Sequence, residues 1–597
     1  MNERMKLRTM ILLAGWALLL LTQPVANTLA QGEPEQPRES AESAELNDLR
    51  FGIVEAFWRP DDANELGVGW DRILFYWNEI QPTGPDDWNT LHVLEEWLRD
   101  ARDGDRVVMG LLKNTPPWAT DAEPFSGAPR GLYLPIDDPD NLWAGYVGKV
   151  VDYYAPLGVH HWIVWNEPEI EAGVYGHEFS GSTRDYYQLL KVAYQVAKAR
   201  DPEAVIHLAG WSYWHDTDWL DKFLKVATAD PEGAANGYFF DTITLHIYFR
   251  VETVEELVEK TRAIQKRYGL DKPVWINETN ASPNLDPLWP VVRPNFQVDL
   301  EQQAWYIVQA HALGFGAGSA SIGVYKLLDI LLPEGGESFG ILRPDGSRRP
   351  AFYAYRTTIH YLNGFTFPVG RQQERDFYAF AFQRPEGVTR ILWARNSSDL
   401  ILRVPALADE GLLVSALGQG HPIEAVDGYY HIRLSGARCT PACDIGGPPV
   451  FLVEKTNGGV DVEAIERINP QTAVLATATP TPSGGVTTSP AEQATFEAEL
   501  ATQVAWTLTP TATQIPSETP VPASTATMTP TSTATSTPPT PATIAIAENL
   551  DEATPIHDDS SAASRSSGPY LSWLFIGVAL VLSLALVVLV ARRRGNS

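Results

Sequence analysis

The sequence predicts an α/β protein: a (β/α)8 TIM barrel, then a small antiparallel β-sandwich, a disordered stalk and one C-terminal transmembrane helix. Three observations lead there. First, short apolar runs alternate with amphipathic stretches of helical period over about 315 residues, a length that suits an eightfold barrel with insertions. Second, from residue 365 to 455 the apolar period shortens to two, the mark of antiparallel strands. Third, the chain beyond Asn469 is rich in Thr, Pro, Ser and Ala until residues 571–591, a run of roughly 20 mostly apolar residues long enough to span a bilayer.

Taken in order, residues 1–30 have the layout of a signal peptide. Arg4, Lys6 and Arg8 form the basic start, an apolar middle follows, and Thr28-Leu29-Ala30 offers the cleavage site. A polar tether covers 31–48, and the barrel is expected over 49–364. Its strands are expected at 51–54, 72–77, 106–112, 162–164, 205–211, 239–248, 273–277 and 320–327. Helices are expected at 91–102, 141–154, 183–200, 218–228, 254–268 and 300–313. The sandwich is assigned to 365–458, with strands at 377–382, 388–394, 400–404, 430–434 and 450–453. Residues 459–569 cannot bury a core and read as an extended stalk. Arg592, Arg593 and Arg594 follow the membrane span at 570–591, so the tail at 592–597 is expected in the cytoplasm. This layout predicts a single-pass protein of the cell surface with its head outside.

The net charge of −29 argues against nucleic acid and anionic lipid as partners. Cys439 and Cys443 are the only cysteines, and outside the cell they are expected to close a small disulfide loop. No further ligands stand near them, so no metal and no cofactor is expected.

The chemistry gathers at two strand exits. Trp162-Ile163-Val164 reads as a short buried strand, and Pro168 prevents its continuation, so Glu167 should stand where strand gives way to loop. Glu278 closes a second apolar run, 273–277, and a loop-like stretch follows. On strands 4 and 7 of the count, about 110 residues apart, the two glutamates are spaced by three β/α units. Two carboxyl groups so placed suit double displacement at a sugar carbon. One protonates the leaving oxygen and the other attacks the anomeric carbon.

With Asn166-Glu167-Pro168, His246-Ile247-Tyr248 and Glu278 in this order, residues 51–358 resemble the clan A glycoside hydrolases, most of all families 39 and 5. Pro344-Asp345-Gly346-Ser347 and Arg349-Pro350-Ala351-Phe352-Tyr353 resemble the closing strand-to-helix segment of that group. The resemblance implies that Glu167 is the acid/base, Glu278 the nucleophile, and that configuration is retained. It further implies that Arg72 and Tyr248 hold Glu278 ionised, that Asn166 bonds the sugar's 2-hydroxyl, and that His246 orients the subsite. Many members carry a tryptophan on strand 8, where this chain has Gly323-Val324-Tyr325-Lys326. Tyr325 is expected to replace that platform, and Lys326 to meet hydroxyls or a sugar carboxylate. Trp118, Trp211 and Trp214 offer further faces for sugar stacking. Glu55 and Glu169 read as surface or supporting acids.

The expected function is a retaining O-glycoside hydrolase that cleaves β-linked extracellular oligo- or polysaccharide, with the membrane as its other partner through the C-terminal helix. A non-catalytic surface carbohydrate-binding or adhesion protein on the same scaffold is the rival from another class. A transglycosylase would share the covalent intermediate. The second carboxylate favours an enzyme, because a binding protein has no need of the pair.

Overall fold

The computed structural model describes residues 47–468, apart from 172–176, 292–293, 295, 331–337, 440–441 and 457–462. The expected signal peptide, the apolar run at 571–591, the expected cytoplasmic tail and nearly all of the expected tether and stalk lie outside the described residues. Among those described, no helix is long and apolar enough to cross a membrane.

Eight parallel strands form the central sheet: β1 (Phe51–Val54), β2 (Trp70–Tyr76), β3 (Val107–Lys113), β4 (His161–Val164), β5 (Val205–His207), β6 (Ile243–Tyr248), β7 (Val274–Asn280) and β8 (Ser321–Val324). They run β5-β4-β3-β2-β1-β8-β7-β6. The two ends meet through the bridges His207–Thr242 and Trp211–Leu245, which close the sheet into a barrel. Around it lie α1 (Pro60–Leu66), α2 (Glu95–Asp103), α3 (Leu142–Tyr154), α4 (Thr183–Arg200), α5 (Trp219–Ala229), α6 (Thr253–Arg267), α7 (Leu300–Gly316) and α8 (Pro350–Leu362).

Local chemistry sets several of these boundaries. Ser182 and Asp185 form a capping box at the start of α4, and Asp299 and Gln302 do the same for α7. The sequence prediction passed over α1, although Pro60 at its first turn, Asp61 and Asp62 after it and Gly67 at its end are ordinary start and stop signals. Only seven residues long, α1 shows too little of a helical period to be seen by periodicity alone. Strand β5 ends at His207 rather than continuing to Trp211 and leaves only isolated bridges beyond. Strand β6 begins at Ile243, because Gly237, Tyr238 and Phe239 all take positive φ in an irregular turn before it.

The interior is filled from the N-terminal side. Trp70 occupies the space left by Gly52 on β1 and Gly323 on β8, where a Cβ on either glycine would collide with the indole. Its Nε1 donates to Ser321 Oγ at 2.9 Å, so the polar end of the ring is satisfied too.

The second part is a sandwich with more strands than predicted. Strands β9 (Phe367–Gln373), β10 (Phe377–Arg384), β11 (Gly387–Ala394), β13 (Glu410–Ser415), β14 (Gly420–Glu424) and β16 (Val450–Lys455) make a six-stranded sheet. Facing it, β12 (Leu400–Pro405), β15 (Tyr429–Leu434) and β17 (Glu466–Ile468) make a three-stranded one. The outer face of the larger sheet packs on the barrel, with Phe451 against Tyr361 at 5.7 Å and Phe382 against Phe365 at 5.2 Å. Arg395 pairs with Glu252 at 2.6 Å and Arg371 with Glu255 at 2.9 Å across the same boundary. Cys439 and Cys443 are joined as a disulfide.

Candidate active site

Alternation along each strand decides which side chains face the barrel interior. On β2, Trp70 fills the interior, so Arg72 faces it one layer higher. On β6, Thr244, His246 and Tyr248 share the inward face. Strand β7 departs from this rule. Trp275 packs inside the barrel against Trp70 at 6.0 Å and His207 at 5.0 Å, so strict alternation would turn Glu278 outward. The register slips instead: Leu245 pairs with Ile276 and His246 with Glu278, which leaves Asn277 as an extra residue. That bulge turns Glu278 inward.

Glu278 is thereby met from three sides. The Arg72 guanidinium pairs with Oε1, and the Tyr248 hydroxyl donates to Oε2. His246 Nδ1 stands 3.5 Å from Oε2. Burial alone would push the Glu278 carboxyl up; Arg72, His246 and Tyr248 outweigh it and hold the group below the usual carboxylate value. Burial likewise pulls Arg72 down, and Glu278 more than restores it. Tyr248 is pushed well above the ordinary phenol value, by burial first and by Glu278 next.

Glu167 stands in the turn that follows β4, with Trp165 and Glu167 both at positive φ. Its backbone N–H donates to Gly210 O at 3.1 Å, which fastens the turn to the β5 exit. Oε1 lies 2.8 Å from His246 Nδ1, and the Asn166 amide donates to Oε2 at 3.3 Å. Its side chain is 18% exposed against 9% for Glu278, so Glu167 is the more open of the two. One imidazole nitrogen therefore bridges both carboxylates. Gly210 makes room for that ring, since a Cβ there would collide with it. Burial pulls His246 down, but Glu278 and Glu167 together raise it above the ordinary imidazole value.

The other residues singled out in the sequence are placed as follows. Tyr325, just past β8, sits edge-on to Tyr248 at 6.1 Å and beside Phe339 at 5.8 Å. The amide of Asn280 donates to Tyr325 O at 2.8 Å and so fixes that segment. Lys326 Nζ is paired with Glu55 Oε2 at 2.6 Å, a partner the sequence reading did not foresee. Trp118 is half-buried, and its Nε1 donates to Gln81 O at 2.7 Å. Trp211 is 1% exposed, with its Nε1 on Asp216 O, and has no open face for a sugar. Trp214, by contrast, is 61% exposed.

Two acids matter more than the sequence suggested. Glu169 is buried; its Oε1 accepts from Ser212 N at 2.6 Å and Ser212 Oγ at 2.8 Å, tying the turn of Glu167 to the β5 exit loop. Burial pushes its carboxyl up to about 7, against the pull of the Ser212 donors. Glu55 is half-buried at the β1 exit, in left-handed conformation at φ 62°. Its position directly after the apolar run of β1 was the available signal, the same one that marked Glu167.

No family model matches the chain, and no curated protein matches it in sequence. Among solved structures it is similar to a family 39 glycoside hydrolase from the gut symbiont Bacteroides cellulosilyticus, at 16% identity, TM-score 0.52, over 68% of this chain and 81% of that one. It is also similar to a monomeric β-xylosidase from Caulobacter crescentus, at 14% identity, TM-score 0.47, over 68% and 96%. A family 30 endoxylanase from Clostridium papyrosolvens follows, at 11% identity, TM-score 0.46, over 68% and 97%. Family 39 was among the families the sequence was expected to resemble. At such identities the first likeness speaks to the shared fold, and the chemistry rests on the residues.

Proposed function

We propose that this protein is a retaining O-glycoside hydrolase acting on β-linked glycans. The observation that carries the reading is the pair of inward-facing glutamates joined through one histidine nitrogen. Their nearest oxygens can lie no further apart than the two distances to His246 Nδ1 laid end to end, 2.8 and 3.5 Å. That close approach agrees with the roughly 5–5.5 Å between carboxyl groups at which a retaining enzyme works.

The roles follow from the surroundings. Glu278, kept ionised by Arg72, His246 and the Tyr248 hydroxyl, attacks the anomeric carbon. Glu167, the more open carboxyl, gives its proton to the leaving oxygen, then takes one from the water that releases the sugar. Asn166, beside Glu167, is in reach of the 2-hydroxyl region, and Tyr325 walls the pocket next to Tyr248. Trp211 is left out as a stacking residue; Trp214 and Trp118 remain. The sequence signals for export and for a membrane span at 571–591 add a location, a head held outside the cell.

The test uses the full-length protein on a panel of aryl and natural β-glycosides, with products followed by NMR. The first-formed sugar should be the β-anomer. Glu278→Gln should abolish turnover. Glu167→Gln should slow substrates with poor leaving groups far more than those with activated ones, because activated leaving groups do not need the proton. An α-anomer formed first would refute retention, and full activity in Glu278→Gln would remove the nucleophile.

A further inference from the structure

Beside Glu278 lies one more charged pair that the proposed chemistry does not use. Glu55 leaves β1 and Lys326 follows β8, and these strands are neighbours with Ile53 opposite Val324. Lys326 Nζ lies 2.6 Å from Glu55 Oε2, with the two side chains 8% and 13% exposed.

Three features argue for more than a structural clip. A buried ion pair adds little net stability, since desolvation of both charges offsets their attraction. Glu55 also sits in a left-handed conformation that costs energy for a non-glycine residue. The surroundings enforce it: Asp71 accepts from Ala56 N at 2.8 Å and Phe57 N at 3.1 Å, and Glu55 N donates to Arg72 O. Finally, the pair belongs to the same group of side chains as the proposed nucleophile. Glu55 N donates to the backbone oxygen of Arg72, whose guanidinium pairs with Glu278, and Tyr325, next to Lys326 in the chain, sits 6.1 Å from the ring of Tyr248, whose hydroxyl donates to Glu278.

We propose that Glu55 and Lys326 together recognise two adjacent hydroxyls of the sugar seated against Glu278. The carboxylate accepts from one hydroxyl and the ammonium donates to the other. Because Glu55 cancels the charge of Lys326, the site takes a neutral sugar and rejects a uronate there. A uronate would add a further negative charge beside the carboxylates of Glu55 and Glu278, whose charges Lys326 and Arg72 already balance. The proposal rests on the glycosidase reading.

The experiment uses the full-length protein and matched β-glycosides: a neutral parent, its 3-, 4- and 6-deoxy analogues and the corresponding uronide. In Lys326→Met, kcat/KM should fall about 100-fold on the parent but only a few-fold on the deoxy analogue lacking the hydroxyl that Lys326 holds. In Glu55→Gln, Lys326 is left uncompensated, so the uronide-to-neutral ratio of kcat/KM should rise at least about 10-fold. Equal losses on the parent and every deoxy analogue, or an unchanged ratio in Glu55→Gln, would overturn the proposal. If either single variant misfolds, Glu55→Gln combined with Lys326→Met removes both charges, and it should flatten the difference between parent and deoxy analogues. Silence of the wild type on every glycoside would strike the glycosidase reading itself. Calorimetric binding of the neutral sugar and its uronate to wild type and Glu55→Gln would then decide the pair: a preference for the neutral sugar that Glu55→Gln leaves unchanged would overturn it.

Discussion

His246 and His207 are both buried inside the same barrel, yet their surroundings drive them in opposite directions. His246 lies near the C-terminal mouth between Glu167 and Glu278, and these acids outweigh burial and favour the imidazolium. His207 lies deeper, against His161 at 3.0 Å, Thr242 at 2.6 Å and the ring of Trp275. No acid faces it among its described contacts, so burial and the neighbouring His161 hold it well below the ordinary imidazole value. Burial sets a cost on charge at both levels, and the partners decide whether it is overcome. The lower barrel is a packed core with satisfied polar tips. The upper barrel is an array of charges that hold one another in place.

Breaking the upper array should have the largest effect. Arg72→Met leaves Glu278 buried without its cation, and the loss of one partner from such a pair costs about 3–5 kcal/mol. The denaturant midpoint should shift accordingly, and turnover on any glycoside substrate should collapse with it. A cost under about 1 kcal/mol would mean that Tyr248 and His246 suffice and that the array is less interdependent than argued. The lower level should respond more mildly. Thr242→Val removes the hydroxyl from His207 Nδ1, and a buried polar atom left unpaired costs about 1–3 kcal/mol. Here activity per folded molecule should be unchanged, since Thr242 touches neither glutamate among the described contacts.

The contrast also explains what could be read from the sequence. Glu167 and Glu278 were legible because each follows an apolar run and precedes a loop, and barrel chemistry gathers at such exits. The pairing of Arg72 and Tyr248 with Glu278 was expected only through the family resemblance, and the contacts are present. The bulge at Asn277 was not legible, because Val274–Asn280 shows no glycine or break in its pattern, and the slip depends on the facing strand. The position of Lys326 at a strand exit was visible in the sequence, but its pairing with Glu55, some 270 residues away, was not. Trp211 and Trp214 looked equivalent in sequence. The closing bridge of the barrel buries the first and leaves the second outside. Strands β9, β13 and β14 were missed because they are largely exposed, and exposed strands carry little apolar alternation.

The smallest effect tests the comparison most directly, because it reads charge rather than packing. Burial pushes His161, which abuts His207, down to about 4. Its unfolded value is near 6.5, so between these limits the unfolded chain binds the proton and the folded one does not. The stability His161 contributes is therefore present above about pH 6.5 and lost as pH falls toward 4, roughly 1 kcal/mol of it between pH 7 and 5.5. His246 has the opposite sign. Its folded value is raised, so its contribution is complete below the unfolded value and is lost as pH rises through the folded one. Asp71, lifted to about 6 by burial, also favours the folded state on acidification, so the whole-protein curve mixes signs. Difference curves separate them. His161→Gln should flatten the acid-side loss by about 1 kcal/mol relative to wild type, and His246→Gln should remove a loss on the alkaline side. Imidazole NMR would read the same thing at each ring: His207 neutral throughout the window, His246 still protonated where a free imidazole has let go. If both rings titrated together near 6.5, neighbouring charge would not be what separates the two levels, and the reading of Glu278 as a carboxylate held ionised by its surroundings would lose its main physical support.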